Sequence, residues 1–503
     1  MNPGPLLFRA DAGVAIGTGH VMRCLALAQA WQDAGGRALF AMAESTPAIH
    51  EKLLSEACAV FSIPVGSGTP DDARNTAALA TEHDASWVVV DGYQFSAEYQ
   101  HALKTAGHKL LFIDDYGHAA HYYADLVLNQ NLPTNETLYR NREPQTRLLL
   151  GPRCCMLRRE FRAWREWKRD IRATGNRVLV TMGGSDPENV TAKAIEALSL
   201  IQGDDLEATV VVGGSNPRLE LLERLAGKAS HKIVVRSDVS NIAEWMSWAD
   251  VAISAAGSTC WELCWLALPA LLVDVADNQT PVARELDRRG CALHLGSSRE
   301  VSAESIAGPL ARVLKSAEER GSLSRRSHEL VDGEGAARVV SALRSPTLRL
   351  RPAQEHDMRL LWEWANDPAV RAASFSSGPI SWETHTAWFT EKLQQKKCLI
   401  LIAEDDAGTP VGQVRFDPRD DGGADVNVSV AKASRGRGLA SSIIESGVQE
   451  AFRTANWNRI HAFIKPENAA SQKAFEKAGF AAAGTEQIRG NAALQFTFDR
   501  NRK

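Results

Sequence analysis

The 503-residue sequence has no uninterrupted apolar run near the roughly 18 residues of a membrane span, and no basic segment leading into a signal-type apolar core at its N-terminus. Neither an anchor nor secretion is expected, and the cytoplasm is the default address. Paired Cys-x-x-Cys spacing is missing too. Cys24, Cys58, Cys154, Cys155, Cys260, Cys264, Cys291 and Cys398 are scattered, several within apolar stretches, which excludes the common zinc spacings and reads as reduced, mostly buried thiols. No Asp-x-Asp triplet, a usual anchor for a divalent ion on a diphosphate, is present, so no metal is expected. Nor does one charge sign dominate: a formal net charge of −4 with interspersed signs gives no case for nucleic acid or an anionic membrane as partner. The basic pairs Arg158-Arg159 and Arg325-Arg326 read as solvated helix faces. Low-complexity linkers and solenoid-length repeats are absent. What remains is a globular chain, 44% hydrophobic and too long for one core, for which about two to four domains are expected.

What is present begins with Gly17-Thr18-Gly19-His20, between the apolar run 6–8 and the apolar-periodic segment 21–31. Glycines at a strand-to-helix turn let a ligand approach the backbone, and the free N–H groups of a helix start attract negative charge. The same positive helix end disfavours an imidazolium, so His20 is expected neutral and able to take a proton. Helix capping and catalysis both fit the tetrapeptide alone.

From residue 5 to about 151, β-rich runs at 6–8, 37–41, 87–90, 109–113, 126–128 and 148–150 alternate with helical patterns, which predicts a parallel sheet covered by helices. A charged stretch, 156–172, reads as helical, and a second series follows at 177–181, 208–212, 232–235, 251–253, 270–273 and 292–295. The expected fold is α/β: two doubly wound domains, residues 1–152 and 153–345, facing each other across a cleft. Residues 302–343 look helical. After Arg344-Ser345-Pro346 the pattern resets to an alternating strand at 348–352, helices carrying Trp362, Trp364, Trp382 and Trp388, and hairpin signals at 405–408 and 420–423, defining a third α+β domain over 346–503.

The second domain carries three loops after strands: Gly183-Gly184-Ser185-Asp186 before a helix beginning near Asn189, then Gly213-Gly214, then Gly257-Ser258-Thr259 before a helix with Glu262. Loops at the carboxyl ends of one sheet converge on one crevice. Gly257, Ser258 and Thr259 can offer donors to a diphosphate, and Glu262 can accept from a ribose diol. In the first domain Asp11, Tyr93, Asp115-Tyr116 and Asn129 follow strands and are candidate sugar contacts. Of the neighbours Asp114 and Asp115 a single functional aspartate is expected, because adjacent residues at a strand end point apart. His118 and His121 read as solvated.

Arg9-Ala10-Asp11, Gly17-x-Gly19-His20-x-x-Arg23-Cys24-Leu25, Met182-Gly183-Gly184-Ser185-Asp186, Gly257-Ser258-Thr259-x-x-Glu262 and Asp277-Asn278-Gln279 together resemble, over about residues 5–343, the UDP-sugar hydrolase family of pseudaminic acid synthesis. That family is related to the peptidoglycan N-acetylglucosaminyltransferase and has the two-domain glycosyltransferase-B fold. The resemblance implies removal of UDP from UDP-2,4-diacetamido-2,4,6-trideoxy-β-L-altropyranose by water with inversion, His20 as general base, and UDP and sugar held by Arg9, Asp11, Gly17, Gly19, Tyr93, Asn129, Gly183, Gly184, Ser185, Asn189, Gly257, Ser258, Thr259, Glu262, Asn278 and Gln279.

In the third domain a strand at 424–431 leads into Arg435-Gly436-Arg437-Gly438-Leu439-Ala440, the start of a long amphipathic helix reaching about Thr454. The loop has the N–H donors for a pyrophosphate and lacks the Lys-Ser/Thr of a P-loop. With the strand 459–464, Asn468-x-x-Ser471 and Ala478-Gly479-Phe480, residues 347–500 resemble the GCN5-related N-acetyltransferases (GNAT). This implies acetyl-CoA as co-substrate. Arg435, Gly436, Arg437, Gly438, Leu439 and Ala440 would hold its pyrophosphate, the backbone of Val428 and Val430 its pantetheine arm, and Asn468 and Ser471 would lie beside it. Phe475 stands where a proton-donating tyrosine is common. Among the tryptophans, mostly expected in the core, Arg371 and His385 are the candidate acceptor contacts. The resemblances fit consecutive steps, N-acetylation of a 4-amino sugar nucleotide and then hydrolysis. A glycosyltransferase, or a hydrolase with a non-catalytic acetyltransferase-like module, remains open.

Overall fold

The computed structural model describes residues 3–13, 16–184, 186–203, 205–214, 216–237, 239–345, 348–395, 397–405 and 408–500, and the chain divides into two compact units, Met1–Leu343 and Arg344–Lys503. Within the first unit, β1 (Leu6–Ala10), β2 (Ala38–Met42), β3 (Ala59–Ser62), β4 (Trp87–Asp91), β5 (Leu110–Ile113), β6 (Leu126–Asn129) and β7 (Arg147–Leu150) form a sheet in the order β3-β2-β1-β4-β5-β6-β7, with parallel pairing. Every residue of β1 and β4 is buried, as continuous apolar strands covered on both faces require. A second parallel sheet contains β8 (Arg177–Thr181), β9 (Glu207–Val212), β10 (Lys232–Ser237), β11 (Val251–Ala255), β12 (Ala270–Asp274) and β13 (Leu293–Ser297), ordered β10-β9-β8-β11-β12-β13. These are the two doubly wound halves expected from sequence.

Two departures have physical causes. Strand β3 gives no sequence signal because it is four residues long, at a sheet edge, and only half-buried. Residues 156–172 form no long helix; the only regular turn described there is 3₁₀, Arg159–Trp164. Their charges are tied individually instead of lining a solvated face. Arg158 pairs with Glu262 at 2.9 Å, Arg159 with Asp33 and Glu56, and Arg165 with Glu334. Arg169 donates to the backbone carbonyls of Met246, Ala249 and Leu266. The helix Gly335–Arg344, last of the second half in sequence, packs in the core of the first. Ala336, Val339, Val340 and Leu343 bury against the cluster of Leu6, Leu27 and Trp31, and Trp87 Nε1 donates to the Leu343 carbonyl at 3.0 Å.

The second unit is a mixed sheet of β14 (Arg349–Pro352), β15 (Leu399–Glu404), β16 (Pro410–Pro418), β17 (Ala424–Val430), β18 (Arg459–Ile464), β19 (Ala481–Ile488) and β20 (Asn491–Asp499), ordered β14-β15-β16-β17-β18-β20-β19. Its one parallel pair, β17 and β18, is joined only at Ala424–Ile460 and Asp425–His461 and then splays. The helix Leu439–Thr454 lies across β16; Gly447 permits that approach, since a Cβ there would stand 2.6 Å from Val414 Cγ1. A further hairpin, β19–β20, gives no signal taken up in the sequence reading; it turns through Arg489-Gly490, both at positive φ.

Candidate functional site

In each half of the first unit the strand order reverses next to the first strand, between β1 and β4 and between β8 and β11, and such reversals open a crevice at the strands' carboxyl ends. His20 follows β1, on the first turn of the helix Gly19–Asp33, and Asp91 ends β4. Neighbouring strands thus bring His20 Nδ1 to 2.7 Å from Asp91 Oδ1. Nδ1–H donates to the carboxylate, which leaves the lone pair on Nε2. Arg23, one turn along the same helix, grips Asp91 with Nε and Nη2, each at 2.6 Å, and reaches Asp115 Oδ1 with Nη1 at 2.6 Å. Burial alone would raise the Asp91 pKa, but Arg23 and His20 outweigh it and hold the carboxyl well below the usual range. Burial and then Asp115 push the Tyr93 phenol far up, so it stays a donor to Asp115. Asp91 and Arg23 were not among the site residues expected from sequence, although Arg23 lies in the motif around His20; Asp115, expected as a sugar contact, is instead engaged by Arg23 and Tyr93. Asp114 turns away, its carboxylate taking the N–H groups of Tyr116 and Gly117, and His118, expected in solvent, is largely buried beside it.

The turn carrying His20 meets both phosphate-type loops of the second half. A Cβ on Gly184 would stand 2.7 Å from Thr18 Oγ1, and one on Gly19 would stand 3.9 Å from Ser258 Oγ. Gly17 and Gly183 adopt φ of +78° and +82°, where glycine is favoured. Gly213 packs on the same loop, since its Cβ would lie 2.5 Å from the Gly184 carbonyl oxygen. Asn278 Nδ2 donates to the Tyr93 hydroxyl at 2.6 Å across the crevice, and Gln279 lies against Gly257. Ser185 is outside the described residues. Asn189, left-handed at φ 54°, precedes the helix Val190–Ser199, whose first N–H groups are taken at 2.8 Å by the Asp186 carboxylate. A negative charge thus already occupies that helix start, leaving the glycine loop and the turn at Gly257, Ser258 and Thr259 as the polar backbone facing His20. Glu262 is held by Arg158, with Nη2 at 2.9 Å. Three expected sugar contacts are engaged inside the protein. Arg9 is wholly buried between Asp72 and Asp11, Asp11 also takes the Ala43 and Glu44 N–H groups, and Asn129 donates to Tyr139 and the Asp115 carbonyl.

In the second unit the splay of β17 from β18 opens a cavity of about 1400 Å³. It is lined by Val428, Val430, Arg435, Gly436, Gly438, Leu439, Ala440, Asn468 and Ser471, and also by Arg371 and His385. Arg437 is not among its lining residues. Gly436 and Gly438 have φ of +77° and +75°. Several side chains are otherwise employed: Arg435 pairs with Asp367 at 2.8 Å, and Asn468 caps the helix Ala469–Lys477 through the Ser471 N–H. Arg371, expected as an acceptor contact, donates to the carbonyls of Ala365 and Ser376 and so organises the 374–378 turn. His385 Nε2–H donates to the Met358 carbonyl at 3.0 Å, its ring stacks on Phe389, and burial lowers its pKa, so it is neutral. Phe475 is buried edge-on to Phe480. Sequence reasoning missed the polar floor of this cavity, Gln413, Arg415 and Asp417 on β16 facing Asn427 and Asp425 on β17, a period-two signal beside the quoted valines. No group of three or more metal-type side chains occurs among the described residues.

The chain thus combines two recognisable classes of domain: residues 177–338 match the glycosyltransferase family 28 C-terminal domain, and residues 347–481 match the acetyltransferase (GNAT) domain. More particularly, the proteins it is similar to include three of note. It is 22% identical over 493 residues to an uncharacterized protein of Methanocaldococcus jannaschii, covering 93% of this chain and 95% of that one. It is 26% identical over 295 residues to the UDP-2,4-diacetamido-2,4,6-trideoxy-beta-L-altropyranose hydrolase of Campylobacter jejuni, covering 57% of this chain and 97% of the hydrolase. It is 31% identical over 203 residues to the spore coat polysaccharide biosynthesis protein SpsG of Bacillus subtilis, covering 39% of this chain and 58% of that protein. Homology therefore supports a UDP-sugar-acting enzyme with an acetyltransferase domain.

Proposed function

We propose that the chain carries out two consecutive steps on one sugar nucleotide. The acetyltransferase domain N-acetylates the 4-amino group of a UDP-4-amino sugar with acetyl-CoA, and the first unit hydrolyses the product, UDP-2,4-diacetamido-2,4,6-trideoxy-β-L-altropyranose, to UDP and free sugar with inversion. The observation that carries the hydrolase reading is the His20–Asp91 pair at 2.7 Å, opposite the glycine loops of the second half. His20 Nε2 takes a proton from water as its oxygen attacks the anomeric carbon from the face opposite UDP; the C–O bond to the diphosphate breaks, and the charge leaving with UDP falls among the donors of Gly257, Ser258 and Thr259. Asp91 and Arg23 keep the imidazole oriented, and together with Asp115 they carry one surplus negative charge that the new imidazolium neutralises.

In the acetyltransferase, the cavity fits acetyl-CoA as its co-substrate, with open backbone on the splayed β17 edge for an amide-bearing arm and left-handed glycines near the pyrophosphate. The amine nitrogen attacks the thioester carbonyl, and the C–S bond breaks to release CoA. Phe475 donates no proton, so the thiolate is protonated by solvent or another group.

Mass spectrometry of the purified chain with acetyl-CoA and UDP-4-amino-4,6-dideoxy-N-acetyl-β-L-altrosamine tests both steps. The expected result is gain of one acetyl group followed by loss of UDP. His20→Asn is expected to abolish UDP release and spare acetylation, and retained hydrolysis would remove His20 from its role. UDP release only when a sugar or lipid acceptor is added would make the first unit a glycosyltransferase instead. No heat on titrating millimolar acetyl-CoA would make the second unit a non-catalytic module.

A further inference from the structure

Two hydrogen-bond chains that join the halves of residues 1–343 end on one carboxylate. Trp261, wholly buried in the second half, donates its indole N–H to Asn131 Oδ1 at 3.1 Å, and Asn131 Nδ2 donates to Asp115 Oδ1 at 2.6 Å. Asn278 Nδ2 donates to the Tyr93 hydroxyl at 2.6 Å, and that hydroxyl donates to Asp115 Oδ2. Asp115 Oδ1 also takes Arg23 Nη1, while Nε and Nη2 of the same guanidinium fix both oxygens of Asp91, the partner of His20. A planar guanidinium bound on two edges transmits a shift of one partner to the other, because its donors form one rigid fork.

We propose that Asp115 is a positioning residue through which docking of the second half on the first sets the orientation and basicity of His20; this rests on the reading of His20 as the base. With the halves engaged, Tyr93 and Asn131 saturate Asp115 and pin Arg23, so Asp91 is presented squarely to Nδ1. With the halves apart, Asn131 and Tyr93 lose Trp261 and Asn278, the partners that orient them on Asp115, and the geometry of Arg23 is set by Asp91 alone on its other edge. The base would then be fully competent only when the crevice is closed. The charged groups facing His20 are Asp91 on β4 and Arg23 on its own helix. Tyr93 stands edge-on at 4.9 Å, with Asp115, Tyr116 and His118 beyond it.

Nitrogen-15 NMR titration of the His20 ring in the full chain tests this. Asp115→Asn removes a negative charge that favours imidazolium, and is expected to lower the midpoint by about one pH unit, tenfold in the protonation constant. Trp261→Phe alters no charge, yet is expected to move the midpoint measurably in the same direction, and the double variant is expected to match Asp115→Asn alone. The kcat for UDP release follows the same pattern, with KM changed less than about twofold. A Trp261→Phe midpoint coinciding with the parent's, or two effects that simply add, would overturn the proposal. Should Asp115→Asn not fold, Asn131→Ala cuts the same tether, and its non-additivity with Trp261→Phe answers the question. A parent chain that shows the titration pattern and releases no UDP would sink the hydrolase and leave the relay standing.

Discussion

At the scale of single residues, the first unit holds several carboxylates ionised in its interior. Asp91, Asp11 and Asp114 each pay desolvation, yet cationic partners or hydrogen-bond donors keep their pKa values below those of an unfolded chain. Their stabilising contribution is fully present above the unfolded value of about 4 and is lost as pH falls from there toward the lower folded values. Acid unfolding of residues 1–343, followed by circular dichroism, is therefore expected to begin below about pH 4. The placing of His20 on the first turn of a helix after β1 was legible from a turn motif. Its partner was not, because Asp91 lies 71 positions away and becomes a neighbour only through the β1–β4 pairing. Similarly, Arg9 and Asp11 sit at the ends of motif strands like ligand contacts, and nothing in their spacing reveals that Asp72 and Ser67 consume them.

At the scale of elements, strands were legible wherever both faces are buried, because such strands are continuous apolar runs; the residues 177–181 and 459–464 coincide with β8 and β18. What failed was the charged segment 156–172, where helical periodicity and a chain of individual tethers give the same composition. The glycine loop before the helix Leu439–Thr454 was legible because only a few residue types tolerate its geometry. Both glycines are left-handed, a region that costs a residue with a Cβ about 1–2 kcal/mol. Gly436→Ala and Gly438→Ala are each expected to weaken acetyl-CoA binding roughly tenfold by calorimetry. A Cβ at either meets open space, so the fold should survive and the loss should be in binding.

At the scale of the molecule, residues 1–343 and 344–503 are separate compact units. Ligand binding stabilises only the unit that holds it. Differential scanning calorimetry is expected to resolve two transitions, of which acetyl-CoA raises one and UDP the other; a single transition raised by both would contradict this. The boundary between the two units was readable from the reset at Arg344-Ser345-Pro346, but the packing of Gly335–Arg344 was not, since an amphipathic helix does not say whose core it covers. Gly335 is where this helix meets the chain connecting the halves, and a Cβ there would stand 2.0 Å from the Cys155 carbonyl oxygen. Gly335→Ala is expected to destabilise the first unit by about 1–3 kcal/mol, lowering its transition and leaving the other unchanged.

That helix also orders events at the ribosome. Ala336, Val339, Val340 and Leu343 complete a core begun at Leu6, so the earliest-made domain stays unfinished until the last residues of its unit emerge. The second half must take shape while its elder neighbour is still open along one side. Only then, as the second unit begins to be translated, does the first unit close behind it.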